Sequence, residues 1–70
     1  MNTIVGTVES FDSQRGDGWI VSDHAARYYF HCVSIGDGSR TIPIGAKVTA
    51  TPRVGLLGRD EAVNVYSVGS

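Results

Sequence analysis

The side chains best equipped for chemistry lie in two short runs, Arg15-Gly16-Asp17-Gly18-Trp19-Ile20 and Tyr28-Tyr29-Phe30-His31. Trp19, Tyr29 and His31 offer flat ring faces, and Arg15 places a cation beside them. Rings presented together from a small sheet suit stacking against unpaired bases, because every base has a π-face whatever its identity. Arginine serves such a surface better than lysine, since it stacks as well as pairs with phosphate. Asp17 interrupts the pattern with a carboxylate where a ring would stack. On the same face it would repel phosphate.

Other chemistries find no carrier. Cys32 follows His31 directly, but neighbouring strand residues point apart and no third group completes a nucleophilic arrangement. The thiol is expected to be half-buried and inert. His24, His31 and Cys32 are the only good nitrogen or sulfur ligands, too few for a zinc site of four ligands, or of three and a water. Asp60-Glu61 reads as loop solvation. Gly36-Asp37-Gly38-Ser39 lacks the glycine-lysine ending and following helix of a phosphate-cradling loop. The tripeptide Arg15-Gly16-Asp17 is a three-residue match of the kind that arises by chance. We therefore expect no enzyme, no metal and no cofactor.

The elements that must position these residues are strands. Apolar residues recur with period two or in short runs, and nine glycines interrupt any helical stretch. The pattern predicts five strands: Thr3 to Asp12, Gly18 to Ser22, Tyr28 to Ser34, Lys47 to Val54 and Ala62 to Val68. Turn-forming clusters separate them at Ser13-Gln14-Arg15-Gly16, Ser22 to Ala26 and Gly36 to Ser39. The longest connection, Ile35 to Ala46, contains Pro43. Alternation sends Val8, Ile20, Tyr28, Phe30, Ile35, Val48, Val63 and Val65 inward. It sends Trp19, Tyr29 and His31 to the opposite face. Five short antiparallel strands in this length imply an all-β, five-stranded Greek-key OB-fold barrel, whose closure removes exposed edges. Leu56 and Leu57, flanked by glycines, are expected either to cover a barrel end or to offer a small apolar contact to a protein.

Seventy residues make one domain, residues 1–70, with a thin core. A single cysteine forbids an internal disulfide and fits a reducing cytoplasm. Neither a signal peptide nor a membrane-spanning run is read in the sequence. The formal net charge is −1, from six Lys and Arg against seven Asp and Glu. That balance argues against binding driven by counterion release alone.

With these residues in view, the sequence resembles the cold-shock domain. The family's first motif, of the form Lys-Gly-Phe-Gly-Phe-Ile, is matched by Arg15-Gly16-Asp17-Gly18-Trp19-Ile20, and its second, Val-Phe-Val-His-Phe, by Tyr28-Tyr29-Phe30-His31-Cys32. Gly6-Thr7-Val8-Glu9-Ser10-Phe11-Asp12 resembles Gly-x-Val-Lys-Trp-Phe-Asn. Gly45-Ala46-Lys47-Val48 and Ala62-Val63-Asn64-Val65 fall where the family has Gly-x-x-Val and Ala-x-Asn-Val. The resemblance implies binding of single-stranded RNA or DNA, as an RNA chaperone or a transcription or translation regulator; a closed barrel makes a monomer the default expectation. It places Trp19, Tyr29, His31 and Phe11 at stacking positions, with Arg15 and Arg40 beside them. The chain departs from the family at Ser10, Asp17, Cys32 and Ser39, each standing where a ring is usual, and at Glu9, where a lysine is. Those departures imply weak binding. They also leave an alternative, a protein-interaction module built on a barrel that has lost much of its platform.

Overall fold

Residues at alternate positions put Val8, Ile20, Phe30 and Val48 on one side of successive strands, and the sheet closes around that side. The computed structural model describes residues 3–55 and 58–68. It contains β1 (Ile4–Asp12), β2 (Asp17–Ser22), β3 (Arg27–His31), β4 (Lys47–Val54) and β5 (Asp60–Ser67). They form a closed barrel in the order β1-β2-β3-β5-β4. β1 pairs antiparallel with β2 and β4, β2 with β3, and β4 with β5. Closure is completed where β3 meets β5 in parallel at Tyr29 and Glu61, continued by a bridge between Ile35 and Val65. The all-β, five-stranded OB-type barrel expected from the sequence is thus the observed fold.

The core consists of Val8, Ile20, Phe30, Ile35, Ile42, Val48, Ala50, Ala62 and Val65, with Ile4, Phe11, Tyr28, Cys32 and Ala46 packed partly against it. Ile42 reaches it from the long connection before β4 and is 6% exposed. Tyr28, expected inside, is half-buried.

Two bulges correct the simple alternation. In β1, Val8 pairs with Ile20 but Ser10 already pairs with Trp19, so Glu9 is an extra residue. An extra residue reverses the inward and outward phase beyond it. Phe11 consequently turns toward the core, opposite Gly18. In β5 the register slips between the partners of Thr49 and Thr51, where Asn64 adopts a left-handed φ of 53°. Ala62 and Val65 are therefore the inward pair, and Val63, expected inside, is only half-buried.

A second correction concerns β3. It ends at His31, and Cys32–Ser34 form a 3₁₀ turn, where an extended strand was expected to continue. Cys32 donates its backbone N–H to the Gly16 carbonyl at 2.7 Å, so the chain leaves the sheet tied to the β1–β2 turn. That turn is built by Asp12, whose carboxylate accepts the N–H groups of Gln14 and Arg15, and by Gly16 at a φ of 75°. Gly18 answers a different need. A Cβ there would run into the Ser10 carbonyl, so only glycine lets β1 and β2 approach so closely. Leu56 and Leu57 lie outside the described residues.

Candidate functional site

Gly18, Ile20 and Ser22 are buried on the inner side of β2, so alternation puts Asp17, Trp19 and Val21 on its outer side, where Asp17 is itself covered. β3 continues the surface, with Tyr29 opposite Trp19 and His31 opposite Asp17. The Trp19 and Tyr29 rings meet edge to face, with centroids 5.6 Å apart and planes at 71°. Ser10 of β1 lies on the other side of Trp19. The two runs singled out in the sequence therefore join into one outward surface. His31 lies on it exposed, whereas Trp19 and Tyr29 are partly covered.

Two arginines provide that cover. The Arg27 guanidinium lies 4.6 Å from the Trp19 ring centroid, and that of Arg59 lies 4.0 Å from the Tyr29 centroid. Both are cation–π distances. Glu9, the bulge residue, anchors Arg27 by accepting a hydrogen bond from its Nε at 3.0 Å within an ion pair whose Nη2 lies 2.8 Å away. Sequence reasoning missed both arginines. Arg27 was within reach of it, since it precedes Tyr29 by two and shares its face by alternation. Arg59 was not, because its contact with Tyr29 depends on β3 and β5 closing the barrel.

Asp17 shares the outward face, but it is not the open negative charge that its place in the motif implied. Its Oδ2 accepts the Tyr29 hydroxyl at 2.5 Å and Arg15 Nη2 at 3.0 Å. Only 11% of the Asp17 side chain is exposed, against 71% of Arg15. The Tyr29 hydrogen bond, aided by Arg15, holds the Asp17 carboxyl below the usual carboxylate range despite burial. The same bond and the neighbouring negative charge push the Tyr29 hydroxyl up. Asp17 thus remains charged, fixes Tyr29 by its hydroxyl and draws Arg15 in.

The remaining sequence candidates take separate places. Phe11 stacks on the buried Phe30, centroids 5.8 Å apart at 20°, so one of its faces belongs to the core. Arg40 is exposed and lines a shallow depression with Cys32, Val33, Ile35, Gly38 and Ser39, beyond the end of β3. Cys32 is partly exposed, with its Sγ 3.8 Å from His31 Nδ1. Among the described residues no group of three His, Cys, Asp or Glu side chains is arranged to hold a metal ion, and no helix is long and apolar enough to cross a membrane.

No family model and no curated protein sequence matches the chain. Among solved structures it is similar to Drosophila Unr CSD456, a structure of cold-shock domains, at 26% identity and a TM-score of 0.79. The match covers 97% of this chain and 27% of that one, so the chain spans about a quarter of the neighbour's length.

Proposed function

We propose, from the premise that this chain is a cold-shock-type barrel, that it binds single-stranded RNA or DNA on the outward face of β1, β2 and β3 without catalysis. The observation that carries the reading is the Trp19–Tyr29 pair in register, each ring with an arginine lying over it. A base stacks on a ring, and a guanidinium that leaves the ring is already placed to meet the adjoining phosphate. Trp19, Tyr29 and His31 are the stacking residues, with Phe11 at the margin. Arg15, Arg27 and Arg59 serve the phosphates, and Arg40 lies along one exit path of the strand.

Each stacked base contributes about 1–3 kcal/mol. With Ser10, Asp17 and Cys32 where further rings would lie, binding is weak, and its stacking component is tolerant of sequence. An RNA chaperone, or a regulator of transcription or translation, acting as a cytoplasmic monomer, is the role that fits such a binder.

One observation favours a second reading, a surface for a protein partner. Glu9 and Asp17 each hold an arginine of the face in an ion pair, which lowers its pull on phosphate. A titration with oligouridine and oligothymidine, followed by Trp19 fluorescence at low and moderate salt, decides between them. Quenching that weakens with salt and is lost in Tyr29→Ala supports nucleic-acid binding. The absence of any response at high protein concentration and low salt overturns it and favours the protein partner.

A further inference from the structure

Among the described residues, Asp17 has a partner on only one of its two oxygens. Both hydrogen bonds it accepts from described side chains, from Tyr29 and Arg15, end on Oδ2, and Oδ1 accepts none from a described residue. Asp17 pairs with His31 in register, lies two residues before Trp19 on β2, and accepts the hydroxyl of Tyr29. A base resting against Tyr29 would turn an edge toward it. Little of the side chain is open to solvent, 11%, so a ligand on this surface closes what access Oδ1 has to it. A buried acceptor left without a donor is penalised, so such a group discriminates among ligands more than it attracts them.

We propose that Asp17 is a base-selecting acceptor and that this face prefers guanine. Guanine alone among the common bases carries two adjacent donors, N1–H and the 2-amino group, on its pairing edge. Uracil flanks its one N–H with two carbonyls, which meet a carboxylate unfavourably. Adenine and cytosine set a ring acceptor beside their amino donor. Oδ1 has two lone pairs free for the guanine edge, while Oδ2 stays committed to Tyr29 and Arg15. The departure from a stacking ring at this position exchanges some sequence-tolerant affinity for choice of base.

The inference rests on the nucleic-acid reading above, and its test separates the two. Three short oligouridines, identical except for a central uracil, guanine or hypoxanthine, are titrated by anisotropy against the full chain. Hypoxanthine keeps N1–H and lacks the 2-amino group. The guanine probe is expected to bind about five- to tenfold tighter than the all-uracil one, with hypoxanthine between, as one or two hydrogen bonds imply. Asp17→Asn retains an oxygen for Tyr29 and Arg15 but turns an amide donor toward the ligand. It should keep its fold by circular dichroism while the guanine-to-uracil ratio falls to about one or below. A purely supporting Asp17 would leave that ratio unchanged. Equal binding of the three probes by the wild type, or a ratio that survives in Asp17→Asn, overturns the inference alone. Failure of all three probes to bind at low salt overturns the nucleic-acid reading and this inference with it.

Discussion

At the scale of single residues, the Asp17–Tyr29 hydrogen bond joins stability to the candidate site. Asp17 titrates at lower pH in the folded chain than in the unfolded one. Its contribution is therefore complete above the ordinary carboxylate pKa of 3.8 and is lost as pH falls through the lower folded value. Tyr29 titrates above its ordinary value of 10.0, so its contribution is complete below that value and is lost as pH rises through the folded one. The pair stabilises the barrel across the interval between and fails at both ends. Asp37, lowered by the backbone N–H of Ser39, adds a second acid limb, so Asp17→Asn should flatten the acid slope only in part. Tyr29→Phe keeps the ring and removes the hydroxyl. It should lower stability by about 1–2 kcal/mol at neutral pH and abolish the tyrosine share of the alkaline limb. Binding of oligouridine should change little. Urea melts at several pH values measure the first two effects, and a large loss of binding would show that the hydroxyl itself meets ligand.

At the scale of elements, the two bulges decide which side chains face the site. The period-two pattern, the turn clusters and the two aromatic motifs made five strands and the Trp19–Tyr29–His31 face legible, and β4 runs from Lys47 to Val54 as read. What was not legible is a phase reversal, because a bulge adds a residue without altering local composition. Plain alternation placed Val63 on the wrong side of that reversal, as its half-burial attests, and it gave no sign that Phe11 would stack on Phe30. Arg59 escaped for a related reason, since barrel closure between β3 and β5 is a long-range event that local patterning does not encode. The β5 bulge depends on Asn64 holding its left-handed φ, a conformation asparagine tolerates and β-branched residues resist. Asn64→Val should therefore cost about 1–3 kcal/mol, and Asn64→Gly should be close to neutral. Because Ala62 and Val65 are the buried pair that this phase supplies, Asn64→Val should also loosen the core they help to fill. Thermal melts of the two variants, read beside Trp19 fluorescence, test both statements. Equal stability of the valine and glycine variants would remove the bulge from the account.

At the scale of the whole molecule, a chain of net charge −1 must concentrate its cations if it is to hold a polyanion. Arg15, Arg27 and Arg59 gather at the Trp19–Tyr29 face, while Lys47 pairs with Asp23 at 3.7 Å and Arg53 with Glu61 at 3.2 Å. Three phosphate contacts, at about 0.7 per contact on a single strand, give a log K against log salt slope of about −2. Carboxylates at two of the three arginines make even that an upper limit. Exposed ion pairs contribute about 0–1 kcal/mol, so the Glu9–Arg27 pair, with side chains 45% and 54% exposed, restrains Arg27 more than it stabilises the fold. Glu9→Gln removes the charge that competes with phosphate and leaves an amide oxygen to hold Arg27 near Trp19. It should leave the melting temperature almost unchanged, raise affinity for oligouridine several-fold at low salt, and steepen the slope by up to about 0.7. Titrations at four or more salt concentrations measure both quantities. A steeper slope would show that Arg27 meets phosphate once Glu9 releases it. An unchanged slope with tighter binding would instead assign Glu9 a general repulsion and leave Arg27 as a stacking partner of Trp19 alone.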